Sequence, residues 1–203
     1  MDIGISALIA LTAGAYLFGA IPFGLLLAKY FHNTDLRLVG SGNIGATNAR
    51  RVGGWPLGLA TLVLDAAKGA IPAGIALMLL GKDGHAAQAA ICIVAFGAFA
   101  GHLYPVYLGF TTGGKGVSTA GGCFMALSPW ALASAITVFI VVAVLGRRVS
   151  AASLAAAATL PAAVFLAENS IIMAAGAVVF SAAVIWRHRE NIARLVNGTE
   201  PRL

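Results

Sequence analysis

The sequence predicts an all-α integral membrane protein with seven transmembrane helices, the fourth of them short, joined on one side by polar, glycine-rich loops. Three observations carry this prediction. Of 203 residues, 60% are apolar and only 10% are charged, against roughly a quarter charged in a soluble domain. Apolar stretches recur along the whole chain and leave no room for a separate soluble domain, so 1–203 reads as a single polytopic unit. The basic residues gather in short segments between these stretches, so the net charge of +6 is a topology signal rather than a nucleic-acid footprint.

The chain opens with an acid and no basic n-region, so Ile3 to Lys29 reads as a retained first crossing, kinked near Pro22. Small residues at Ala15/Gly19 and Ala20/Gly24 would let another helix come close. The segment Leu36–Gly54, LRLVGSGNIGATNARRVGG, reads as a loop without a core of its own. With Lys29, Arg37, Arg50 and Arg51 around it, the positive-inside rule puts it in the cytoplasm and the N-terminus outside. Pro56 to Leu80 is the second crossing. It carries Asp65 and Lys68, three apart on one face, as a structural ion pair or with a direct role. Either charge would cost roughly 2.5–3.5 kcal/mol at mid-membrane, so both should face protein or water.

After a short outer turn, Ala86 to Gly101 is the third crossing, and HLYPVYLGFTTGGKG (His102–Gly116) returns inside. Val117 to Leu127 is about eleven residues, roughly 16 Å of helix, too short to cross alone. Yet only if Gly113 to Leu127 crosses do Arg147, Arg148 and the basic tail fall on the inner side. Pro129–Gly146, Ser150–Leu166 and Ser170–Trp186 complete the seven, with Trp55, Trp130 and Trp186 at segment ends, where indole rings favour the interface. Cys92 and Cys123 lack any ligand partner in sequence and read as packing residues, so no metal site is expected.

The inner face collects the chemistry. Gly40, Gly42 and Gly45 free successive backbone N–H groups to turn toward an anion, and Ser41, Asn43, Thr47, Asn48 and Arg51 add donors suited to phosphate oxygens. The next loop supplies His102, Gly113, Gly114 and Lys115, the turn RRVSAAS supplies Ser150, and the tail supplies His188, Arg189, Asn191, Arg194 and Glu200. Gly109–Lys115 starts like a nucleotide P-loop, but Gly116 stands where a Ser or Thr must bind Mg²⁺ and no strand precedes it, so a Walker site is rejected. A phosphorylated ligand beside lipid is the reading that remains, handled by an enzyme or by a transporter; a transporter predicts inverted repeats and polar groups on both faces, and the sequence has neither.

GSGNIGATNARR, GHLYPVYLGF followed by GGKGVST, and HRENIARLVNGTE resemble, in order, the three signature motifs of the bacterial acyl-phosphate:glycerol-3-phosphate acyltransferases, the PlsY family. The resemblance extends to DAAKG and RRVSAAS and so spans nearly the whole chain. It implies a multi-pass enzyme of the bacterial plasma membrane that moves a fatty acyl group from acyl phosphate to the 1-hydroxyl of glycerol 3-phosphate, giving lysophosphatidic acid and phosphate. Its implied partners are these two substrates and membrane lipids, with no cofactor, nucleic acid or obligatory protein partner. Carried over, the first motif covers Gly40, Ser41, Gly42, Asn43, Gly45, Thr47, Asn48 and Arg51, and the third covers His188, Arg189, Asn191, Arg194 and Glu200. The second departs, with Thr111 and Thr112 standing where the family usually has one residue before Gly113. Ser41 reads as a phosphate donor rather than a nucleophile, having no relay in its own loop. His102 and His188 stand as general bases or as helix-end caps. Neither has a carboxylate partner in sequence, which leaves a substrate phosphate to take the proton while Lys115 and Arg51 stabilise charge.

Overall fold

The structure, a computed structural model, describes residues 4–202, so Ile3 of the expected first crossing lies outside the described residues. Every described segment of regular structure is helical. The chain divides into two compact units, one running to Ala126 and one beginning at Leu127.

The first unit holds α1 (Ile5–Gly19), α2 (Phe23–His32), α3 (Ala46–Leu80), α4 (His85–Leu103) and nearly all of α5 (Val117–Leu127). The expected kink at Pro22 is a full break. Pro22 has no N–H to continue the ladder, and Ala20 N closes α1 on the Tyr16 carbonyl before α2 begins. Small residues set the packing of α1 on α4. A β-carbon on Gly19 would overlap the Ala98 backbone, and one on Gly101 the Tyr16 carbonyl and Ala20 nitrogen. Gly24, by contrast, is closed over by the Ile44 carbonyl and Thr61.

Helix α3 starts ten residues before the expected crossing, so the second half of the opening loop is helical. It is interrupted at Gly53 and Gly54, where Gly54 takes φ +66°. Nor is the preceding segment coreless, as its composition suggested. Leu36, Ile44 and Ala49 are buried with Leu25, Ala28 and Leu57, and Val39, Val52 and Leu108 pack against them. Most of the few apolar residues of this polar stretch turn to one side and seat it on α2 and α3, with Leu38 left exposed.

The short α5 is buried, with Thr119, Ala120, Cys123 and Phe124 all nearly inaccessible. Its Gly122 meets the Ala66 backbone, Gly69 of α3 meets Thr119, and the free Cys123 thiol lies 3.6 and 3.5 Å from the Gly69 and Ala95 carbonyls. Its eleven residues fall well short of a hydrocarbon core about 30 Å thick.

The second unit holds α6 (Pro129–Gly146), α7 (Val149–Glu168), α8 (Ile171–Arg187) and α9 (Arg189–Val196). Helix α6 packs on α7, and α7 on α8. Left-handed residues Arg147 and Asn169 end α6 and α7, and the Ser170 hydroxyl caps α8 through Met173 N at 3.2 Å. The sequence showed the tail only as a basic extension; it forms α9, bent 60° from α8.

Among the described residues, five helical stretches are long and apolar enough to cross a membrane, and a sixth if the bent α8–α9 pair is one span. The protein is a multi-pass membrane protein. Trp55, Trp130 and Trp186 are exposed, and Arg50 and Arg189 stack over Trp55 and Trp186, 4.6 and 5.5 Å from the ring centroids.

Candidate active site

The first polar segment is organised by Asn48. Its amide donates to the Leu36 and Val39 carbonyls, both at 3.0 Å, and its Oδ1 accepts from Ser41 N at 3.1 Å. Both amide hydrogens are therefore committed. Expected as a phosphate donor, Asn48 instead templates the loop that carries Ser41. Gly40 and Gly42 take φ +59° and +69°, and a β-carbon on Gly40 would overlap Asn48 Oδ1. Gly45 has an ordinary negative φ as N-cap of α3; its N–H donates to Asn43 Oδ1 at 2.9 Å. Ser41, Thr47 and Arg51 are exposed on this framework, and the N-terminus of α3 adds the positive end of its dipole.

Arg37, counted in the sequence only as an inner charge, is tied to Asp35, whose carboxylate also accepts from Arg37 N at 2.9 Å. The hydrogen bond from the Arg37 side chain holds Asp35 at about 2, well below the usual carboxylate range.

The second cluster joins α3, α4 and the turn before α5. Asp65 and Lys68 form the ion pair their spacing suggested, Nζ to Oδ1 2.8 Å, with both side chains at most 3% exposed. The same carboxylate oxygen lies 3.7 Å from His102 Nδ1. The carboxylate near His102 that the sequence did not reveal thus comes from another helix. His102 sits in the last turn of α4, not at the start of a loop. Gly114 N donates to the His102 carbonyl at 3.1 Å, and a β-carbon on Gly113 would overlap the Leu103 carbonyl. Upstream, Gly109 and Phe110 take φ +61° and +63°, and Thr111 bonds back to the Leu108 carbonyl at 2.9 Å. Lys115 follows the two glycines directly.

In the second unit, Gly198 at φ +71° ends α9 and reverses the chain. Glu200 is thereby returned to the face carrying Asn191 Nδ2 and Arg194 Nε, each at 2.7 Å. Arg148, which in the sequence marks only an inner charge, reaches the Glu200 carbonyl at 3.4 Å. Burial raises the Glu200 carboxyl, but the hydrogen bonds from Asn191 and Arg194 and the Arg194 charge help to outweigh it and hold it below its ordinary value of 4.5. A depressed carboxyl stabilises the fold above its ordinary value and ceases to as pH falls through the lower, folded one. We therefore expect amide protection in 189–202, measured against the intrinsic exchange rate at each pH, to fall on acidification through that window, and Glu200→Gln to show the lower protection already at pH 7.

His188, in the bend between α8 and α9, is buried, with Nδ1 2.8 Å from the Val184 carbonyl. A carbonyl only accepts, so Nδ1 carries a proton. Arg189, expected at substrate, is exposed and lies against Trp186.

A family model described as Glycerol-3-phosphate acyltransferase matches residues 9–198. The chain belongs to the glycerol-3-phosphate acyltransferase family. It is an acyltransferase that acylates glycerol 3-phosphate. Among its relatives, it is 47% identical over 188 residues to the glycerol-3-phosphate acyltransferase of Syntrophotalea carbinolica, with 93% of each chain covered. Two crystal structures of PlsY (YgiH), an integral membrane glycerol 3-phosphate acyltransferase, are similar to it. The glycerol 3-phosphate form superimposes with TM-score 0.90 at 40% identity, covering 97% of this chain and 96% of that one. The lysophosphatidic acid form gives 0.88 at 38%, covering 97% and 95%. The family reading reached from GSGNIGATNARR, GGKGVST and HRENIARLVNGTE thus holds across this acyltransferase fold.

Proposed function

We propose that this chain transfers a fatty acyl group from acyl phosphate to the 1-hydroxyl of glycerol 3-phosphate, releasing lysophosphatidic acid and phosphate. The observation that carries the reading is the acyltransferase match over residues 9–198, which takes in the first two motifs and the third as far as Gly198. The protein works as one polytopic catalytic domain of the bacterial plasma membrane. It crosses seven times, α5 being the short crossing, with the N-terminus outside and the C-terminus and polar motifs cytoplasmic.

The chemistry assigns roles. Lys115 and Arg51 stabilise charge on phosphate oxygens, and the glycines at 113 and 114 and in the Gly40–Gly45 turn shape the two loops that present them. Ser41, Asn43 and Thr47 add neutral donors. In the second unit Ser150, Asn191 and Arg189 offer donors to substrate phosphate, and Glu200 holds Asn191 in place. An acyl phosphate is already activated, so no covalent acyl-enzyme is needed. The hydroxyl of glycerol 3-phosphate attacks the acyl carbon, the carbon–oxygen bond to phosphate breaks, and a substrate phosphate oxygen takes the hydroxyl proton.

The test is direct. Purified protein given palmitoyl phosphate and labelled glycerol 3-phosphate should form lysophosphatidic acid and phosphate without added metal or nucleotide. Uptake of label into proteoliposomes with no conversion would overturn the reading in favour of transport.

A further inference from the structure

Two opposite charges buried in a spanning helix are an expensive way to hold helices together. Replacing such a pair with apolar residues of similar size is often neutral or stabilising. Retention therefore raises the question of what the Asp65–Lys68 pair holds in place, and its contacts give an answer. At one end, Lys68 Nζ donates to the Ile21 carbonyl at 2.9 Å and lies 5.8 Å from the centroid of the Phe23 ring. It grips both sides of the break at Pro22, where the chain itself has no N–H to offer. At the other end, Asp65 Oδ1 faces His102 Nδ1 at 3.7 Å, longer than a hydrogen bond but well within the carboxylate's field.

The opposite edge of that imidazole is where the glycine turn sits. A β-carbon on Gly114 would overlap the His102 ring at Nε2, and Gly114 N is bonded to the His102 carbonyl. The ring is thus caught between Asp65 and Gly114. If it turns, it either leaves the carboxylate or pushes the turn that delivers Lys115.

We infer that Asp65 and Lys68 are positioning residues for the reaction, fixing the His102 ring and, through it, the Gly113–Lys115 turn. The inference rests on the reading above that Lys115 acts on substrate. Neither charge touches substrate; together they set where the next residue but one along the chain from Gly113 can reach. A misplacement of about 1 Å at such a turn can cost on the order of 10²-fold in rate.

The test uses the full chain in detergent. Asp65→Asn/Lys68→Met removes both charges while keeping volume, so no buried charge is left unpaired. We expect kcat to fall about 10- to 100-fold with KM for both substrates within about threefold. Amide exchange in a peptide covering 111–117 should rise about fivefold, while exchange across α6 to α8 stays at the natural level. Natural kcat together with natural exchange at 111–117 would overturn the inference and leave the pair as packing alone. If the neutral pair does not assemble, Asp65→Glu keeps both charges and shifts the carboxylate by one methylene. It should loosen the same peptide, and unchanged exchange there would equally sink the idea. Lys115→Ala separates the two readings. Full activity in that variant would remove Lys115 from the chemistry, while the exchange result still decides whether the pair holds the turn.

Discussion

Lys68→Met alone should lower folding stability by about 3–5 kcal/mol, because it leaves Asp65 buried with its charge uncompensated. The loss is larger than that of one contact. Lys68 is the Asp65 counter-ion at 2.8 Å and the donor to Ile21 O at 2.9 Å, so one substitution strands a carboxylate and strips a donor from a broken helix end. Reversible unfolding in mixed micelles, followed by tryptophan fluorescence, would measure it. A change below about 1 kcal/mol, the scale of an exposed pair, would show that water reaches the site.

Lys115→Ala is expected to cost about 10²–10³ in kcat, the range for removing one preorganised donor from a charge-stabilising set. The histidines provide the contrast. With a substrate phosphate as base, His188→Ala should fall short of the general-base range, whereas His102→Ala, which frees the Gly113–Lys115 turn, should lose about 10- to 100-fold in kcat as the Asp65/Lys68 double variant does. A loss of about 10²–10⁴ in kcat at unchanged KM for His188→Ala, or one well beyond about 10²-fold for His102→Ala, would reassign proton transfer to the protein. His188 is the stronger candidate for such a reversal, since its Nδ1 is fixed on the Val184 carbonyl and the ring is set in the bend that leads to Asn191. Steady-state kinetics with both substrates varied would decide it.

What could be read from the sequence follows the range of the forces involved. Helices α5 to α8 were legible to within two residues, because long uncharged runs ending at Gly, Asn or Arg leave few other boundaries. The three motifs were legible because each is short and contiguous. Asn48 was misread because an amide beside glycines and arginines looks the same whether it faces a ligand or three backbone groups of its own loop. The approach of Asp65 to His102 was hidden for another reason: it depends on how α3 and α4 pack, and no local periodicity encodes a contact between helices. Helix α9 escaped notice because eight residues with mixed charge carry little apolar signal. The burial of Leu36, Ile44 and Ala49 was obscured by the polar majority around them.

The glycines that bring the helices together carry a consequence for how this sequence can drift. Gly19 faces the Ala98 backbone, Gly101 that of Tyr16 and Ala20, and Gly122 that of Ala66. When two side chains touch, one can shrink as the other grows, and descendants record the exchange as paired change. A main-chain carbonyl has no smaller version. Such a glycine has nothing to trade with, so among diverging descendants these contacts should stay fixed and leave no trace of co-substitution, although they are among the closest in the protein.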